Sequence, residues 1–231
     1  MLGIIGAMDQ EVAKLKEMMT EVEITKAASM EFCKGKLNGT EAVVVRAGVG
    51  KVNAACCTQA LIDHFPVSCV INTGIAGSLQ ASIDIGDIVL ATDALEHDMD
   101  AVSFGYGLGQ IPGMEVFSFT ADEKLRKIAK EGCEKVNPDI SVHEGRVVTG
   151  DQFVSSKEKK TWLVEHFDGC CTEMEGAAIA HVAYLNQIPF LIVRAISDKA
   201  DDSAHMDYPT FEAKAIEHSV RLITEMAGRL A

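Results

Sequence analysis

Four acidic side chains, Glu11, Glu173, Glu175 and Asp198, stand where apolar runs give way to polar or glycine residues, and Arg194 lies close to the last of them. Carboxylates gathered in one place are costly unless a ligand or a cation shares them. Glu173-Met174-Glu175 alone would also suit a solvated helix start, where acidic groups favour the positive end of the macrodipole. Three further stretches shift that balance: Gly6-Ala7-Met8-Asp9-Gln10-Glu11, Asn72-Thr73-Gly74-Ile75-Ala76-Gly77 and Arg194-Ala195-Ile196-Ser197-Asp198. Each follows a strand-like run and loads its carboxyl end, the edge at which an open α/β sheet binds ligands. Met8, Met174 and Phe153 add soft apolar faces on which a purine could stack, and a carboxylate can accept from both hydroxyls of a ribose. Cleavage of an N-glycosidic bond needs a general acid for the departing base and a base to activate water. Anionic carboxylates would also stabilise the positive charge that builds on the ribosyl ring.

Other chemistries find less support. Gly50-Lys51 looks like the end of a P-loop, but Val45 occupies the first glycine position and Val52 the Ser/Thr position. There is no G-x-S-x-G nucleophile elbow and no G-x-G-x-x-G after the first strand. His97-Asp98-Met99-Asp100 has no second cluster at metal-ligand spacing, so no metal is expected. The formal charge of −13 over 231 residues disfavours nucleic acid as a partner. No apolar run is long enough to span a membrane, and the N-terminus lacks the basic start of a signal peptide. Seven cysteines without a C-x-x-C pair indicate reduced thiols and a cytoplasmic location.

The elements that must position these residues read as one α/β domain over residues 1–231, a three-layer α/β/α arrangement around a mixed sheet. Strands are expected at Leu2–Gly6, Phe32–Leu37, Glu41–Ala47, Val67–Asn72, Ile88–Ala91, Ile140–Thr149 and Phe190–Ile196. Asn38-Gly39 joins two of them as a type I′ hairpin turn. Helices are expected over Glu11–Met19, Val52–His64, a segment opened by a capping box at Thr120 and running to about Val136, another opened at Ser155 and running to Phe167, Glu175–Leu185, and about Pro209–Leu230. His97–Gly113 reads as a long functional loop, and Asp198–Tyr208 as a polar one.

The chain resembles the 5′-methylthioadenosine/S-adenosylhomocysteine nucleosidases of the nucleoside phosphorylase superfamily over nearly its whole length. Glu173-Met174-Glu175 followed by small residues, Val193-Arg194-Ala195-Ile196-Ser197-Asp198, and Phe104-Gly105-Tyr106 with Gln110-Ile111-Pro112-Gly113 carry the likeness. The resemblance implies a nucleoside-phosphorylase-like fold, hydrolysis to adenine and a thioribose, and no metal or organic cofactor. It implies that Asp198 is the acid toward adenine N7 and that Glu11 activates or orients the water. Glu175 would hold the ribose hydroxyls, with Met174 beneath the sugar and Arg194 steadying the carboxylates, Glu173 among them. Phe153 would stack on adenine, the backbone of Val154 would read its edge, and Met8, Val49 and Tyr208 would complete the wall. Ala101, Phe104 and Pro112 would reach the 5′-thio pocket of a neighbouring subunit, which implies a homodimer.

The chain departs from the family where many members carry serine and it has Ile75; either a neighbouring backbone group or Ser197 helps to place the water and glutamate, or the water is held less firmly. The alternatives are phosphorolysis and a non-catalytic nucleoside sensor. Phosphorolysis is disfavoured because Asp9 and Glu11 occupy the first loop, where phosphate-using relatives place arginine.

Overall fold

In the computed structural model, which describes residues 1–230, β1 (Leu2–Gly6) is buried along its full length. It lies parallel between β4 (Thr40–Arg46) and β5 (Cys69–Ser78). A strand with neighbours on both edges and helices on its faces reads as a continuous apolar run rather than an alternating one. β3 (Met30–Leu37) returns antiparallel to β4. The turn between them has Asn38 at φ 47° and Gly39 at φ 86°, the positive pair that an Asn-Gly turn accommodates. β2 (Thr20–Ala27), which was not expected, forms the outer edge. It buries none of its first seven residues, so no core-facing pattern marks it.

β6 (Ile88–Glu96), the two-residue β7 (Phe119–Thr120), β8 (Val142–Thr149), β9 (Cys171–Glu173) and β10 (Phe190–Asp198) complete the sheet. The order is β10-β6-β8-β9-β5-β1-β4-β3-β2, with β7 on β6. Because β10 also pairs with β5, the strands β5, β10, β6, β8 and β9 close into a ring. This closure alters one expectation. β10 is parallel to β5, but β9 is antiparallel to it and sets Thr172 opposite Gly77. The candidate residues therefore meet around a closed ring of strands rather than on an open sheet, with Glu11 following the carboxyl end of β1 and Glu173 and Asp198 at the carboxyl ends of β9 and β10.

Among the described residues six helices cover the sheet: α1 (Asp9–Met18), α2 (Lys51–His64), α3 (Glu123–Val136), α4 (Lys157–Phe167), α5 (Gly176–Leu185) and α6 (Ala204–Arg229). α6 packs on α1, α3 and the β5–β10 pair, and α2 packs on α5. Two helix starts differ from expectation. Thr120 pairs with Asp93 as part of β7, so Asp122 caps α3 by accepting from Leu125 N–H at 2.8 Å. Ser156, one residue later than expected, caps α4 through Lys159 N–H. α6 begins at Ala204 instead of after the expected loop, which places Pro209 inside it. Its missing N–H forfeits a helical bond close to the helix start, where partners are fewest. Residues 97–113 lack regular structure apart from a 3₁₀ turn at Val102–Phe104.

Candidate active site

A cavity of about 310 Å³ opens over the ring and brings together residues far apart in the chain. Glu11, Met8, Val49, Phe153, Val154, Glu173, Met174, Glu175, Asp198 and Tyr208 line it, as do Ile75 and Gln152. Arg194 and Ser197 are fully buried behind that wall and act on it indirectly. Ala101, Phe104 and Pro112 do not line the cavity in their own chain.

Glu11 occupies the first turn of α1, and its carboxylate turns back toward the chain that leads into it. One oxygen accepts from Ala7 N–H at 2.7 Å and Met8 N–H at 2.9 Å, and the other from Ile75 N–H at 3.1 Å. The backbone amide of Ile75 thus supplies a donor that its side chain cannot. The Ser197 hydroxyl is committed elsewhere, donating to Asp198 at 2.8 Å. Burial raises the pKa of Glu11 above its ordinary value, opposed by the Arg194 guanidinium and the three backbone donors.

Asp198 ends β10 at a register shift. Its other oxygen accepts from Ala200 N–H at 2.8 Å. Burial also raises this carboxyl, against the two hydrogen bonds, and Asp207 and Asp201 push in the same direction as burial. A Cβ on Gly77 would lie 2.8 Å from Asp198 Oδ1, so the strand opposite must present a bare backbone here.

The Glu173–Glu175 pair lines the same cavity. Glu173 Oε2 accepts from the Glu175 and Gly176 amides at 3.1 and 2.7 Å and from Arg194, which caps α5 and neutralises the charge. The Thr149 hydroxyl donates to its other oxygen and accepts from Ala177 N–H. Both Glu173 oxygens are therefore occupied within the protein. Glu175 is freer: Oε1 accepts from Gly50 N–H at 2.9 Å, while Oε2 lies 3.9 Å from Arg194. Burial, reinforced by Glu173, raises the Glu175 carboxyl to about 7. Arg194 is held in turn by Asn72, whose amide also bonds Ile5 O at 3.0 Å. The spacing of Asn72 in a buried strand gave no hint of that role.

The rim is aromatic. Phe153, 46% exposed, meets Tyr208 edge-on at 5.8 Å and His205 at 5.4 Å. The Tyr208 hydroxyl donates to Glu212 at 3.1 Å and lies 3.4 Å from Met8 Sδ. The site thus offers an exposed ring and a thioether for a flat base, one half-engaged carboxylate for hydroxyls, and two buried acids. Among the described residues, no Lys, Arg or His lines it.

Comparison with known proteins agrees with this geometry. The family model described as the phosphorylase superfamily matches residues 1–227. A relative from an Exiguobacterium species, named 5′-methylthioadenosine/S-adenosylhomocysteine nucleosidase, is 40% identical over 99% of this chain and 98% of its own. The nucleosidase of that name from Neisseria meningitidis, solved in complex with methylthio-immucillin-A, superposes with a TM-score of 0.95 at 37% identity, covering 99% of this chain and 98% of that one. A futalosine hydrolase from Helicobacter pylori matches with a TM-score of 0.93 at 34% identity, over 99% and 97% of the two chains. On this likeness across its full length the chain belongs to the phosphorylase superfamily and, within it, to the 5′-methylthioadenosine/S-adenosylhomocysteine nucleosidase family.

Proposed function

We propose that the protein hydrolyses the N-glycosidic bond of 5′-methylthioadenosine and S-adenosylhomocysteine, releasing adenine and 5-methylthioribose or S-ribosylhomocysteine. The observation that carries this reading is that two buried carboxyls, Glu11 and Asp198, share one cavity with a stacking ring and a half-free Glu175. In this mechanism adenine stacks on Phe153 and its edge meets the backbone of Val154, which belongs to neither strand nor helix. Glu175 accepts from the ribose 2′- and 3′-hydroxyls above Met174. Protonated Asp198 donates to adenine N7 as the glycosidic bond lengthens. Glu11, fixed by three amides, takes a proton from the attacking water, and the surrounding carboxylates stabilise the cationic ribosyl ring.

Phosphorolysis would require the cavity to hold an anion, and its lining offers carboxylates and no cation. A carboxylate 4 Å from phosphate is repulsive by ~4 kcal/mol per unit charge at an intermediate dielectric. Water is therefore the acceptor.

A homodimer belongs to the same proposal. Phe104 is 83% exposed on its loop, and Val52 and Leu185 are also exposed, an apolar set suited to a second copy. Such a partner would bring Ala101, Phe104 and Pro112 to the 5′ end of the other site. One sheet threading the described residues supports a single nucleosidase domain over 1–231. Seven free cysteines support a cytoplasmic location. No helix among the described residues is long and apolar enough to cross a membrane. The test is chemical: purified protein, 5′-methylthioadenosine and S-adenosylhomocysteine, with adenine and the sugar product identified by mass. Formation of a ribose 1-phosphate would overturn the proposal.

A further inference from the structure

Two segments that build the cavity are tied to each other, and to the start of the 97–113 loop, by one compact set of hydrogen bonds outside it. α2 begins at Lys51, directly after Val49 and Gly50, of which the first lines the cavity and the second donates to Glu175. The Lys51 ammonium reaches Glu96 Oε2 at 3.0 Å and Asp98 Oδ1 at 2.7 Å, at the start of the 97–113 loop. Asp98 Oδ2 accepts from Asp151 N–H at 3.0 Å, and Asp151 Oδ1 accepts from Lys51 N–H at 2.8 Å. The bonds close into a circuit, Lys51 to Asp98 to Asp151 and back to Lys51. Asp151 leads directly into Gln152, Phe153 and Val154, all cavity-lining. The packing is close: Gly50 has φ 96°, and a Cβ there would lie 3.0 Å from Asp151 Oδ1. None of the three residues lines the cavity.

We infer that Lys51, Asp98 and Asp151 form a positioning clamp that fixes the Phe153–Val154 segment and the Gly50–Glu175 contact for nucleoside binding. The circuit has the form of a device rather than of scattered surface pairs. Each member bonds to both others, two of the three bonds use backbone amides, and the Lys51 side chain is only 20% exposed. An ammonium shared by two carboxylates in a part-buried site resists rearrangement better than an exposed pair does. Asp151 is the pivot. Its carboxylate holds the first amide of α2, and its own amide is held by Asp98 at the start of the 97–113 loop. Loss of that acceptor would free the base-stacking segment from the helix that carries Val49 and Gly50. The clamp touches neither substrate nor reacting atoms, so it acts through Phe153, Val154 and Glu175.

This inference rests on the proposed nucleosidase reading, and its test separates the two. Adenine affinity is measured by calorimetry, and 5′-methylthioadenosine hydrolysis by steady-state kinetics, for the wild type, Asp151→Ala and Asp151→Asn. The amide oxygen of Asn can still accept from Lys51 N–H. Asp151→Ala is expected to weaken adenine binding and raise KM by roughly 10- to 100-fold, the loss of one charge-assisted hydrogen bond, with a smaller change in kcat. Asp151→Asn is expected to recover most of that loss. Wild-type KM and adenine affinity in Asp151→Ala would overturn the clamp, as would an Asn variant as impaired as the Ala variant. Should Asp151→Ala not fold, Lys51→Met is put through the same comparison, with the same rise in KM expected and an unchanged KM overturning the inference. A wild type that neither binds adenine nor cleaves the nucleoside would overturn the functional reading itself, and the inference with it.

Discussion

The proposed chemistry depends on two carboxyls that must differ in role while sharing one cavity. Burial raises both, but Glu11 is surrounded by three backbone donors and faces Arg194, whereas Asp198 has one amide, one hydroxyl and acidic neighbours. The environment of Asp198 therefore favours its protonated form, as a general acid requires. Asp198→Asn is expected to lower kcat by roughly 10²- to 10⁴-fold while adenine affinity and melting temperature stay near wild type. Turnover within a fewfold of wild type would remove Asp198 from the mechanism. In the parent enzyme kcat/KM should fall on the alkaline side as Asp198 loses its proton, and that limb should vanish from the residual activity of the Asn variant. These residues were legible in the sequence because carboxylates at strand ends are conspicuous. Asn72 and Thr149 were not, since a buried Asn or Thr inside an apolar strand looks like ordinary core until Arg194 and Glu173 are seen against it. Ile75 illustrates a different limit of side-chain reasoning: its contribution to Glu11 is a backbone amide, which any residue type provides.

At the scale of elements, periodicity and turn chemistry identified the long helices, the Asn38-Gly39 hairpin and the buried strands. They missed what depends on pairing across the fold. β9 is three residues long, and only β5 and β8 on its two sides make it a strand. β5 runs to Ser78, well past the expected end at Asn72, because β10 and β9 hydrogen-bond its glycine-rich second half. That half must stay bare. A Cβ on Gly74 would lie 2.1 Å from Arg194 Nη1 and 2.6 Å from Glu11 Oε1. Both groups are buried and already committed, so neither can retreat cheaply. Gly74→Ala is therefore expected to cost about 1–3 kcal/mol of stability, as overpacked cores do, and to reduce turnover more than a surface substitution of equal thermal cost. Chemical denaturation with adenine-release assays on the same sample checks both effects. An unchanged enzyme would show that Arg194 and Glu11 are less tightly placed than described.

The whole molecule carries a cost for holding its acids together. The raised pKa of Glu175 means that the folded protein keeps a proton there that the unfolded chain has already lost. The stabilisation from that proton is complete below pH 4.5 and disappears as pH rises through about 7. In ligand-free protein, Glu175→Gln should therefore gain melting temperature relative to wild type across that window, and a constant difference would contradict the assignment. The second expectation for the whole molecule is the proposed association. Sedimentation equilibrium is expected to give twice the chain mass, and Phe104→Asp is expected to shift the protein toward monomer and raise KM for 5′-methylthioadenosine. A monomeric wild type of full activity would exclude the shared site. Composition indicated a protein that avoids nucleic acid, but no count of residues could show that the acidic excess extends into a cavity without a lining cation. The central claim, that water and not phosphate attacks the ribosyl ring, is tested most directly by following adenine release from 5′-methylthioadenosine in phosphate-free buffer and again after phosphate is added. The account predicts full release in the first condition with no stimulation in the second; release that appears only with phosphate would contradict it.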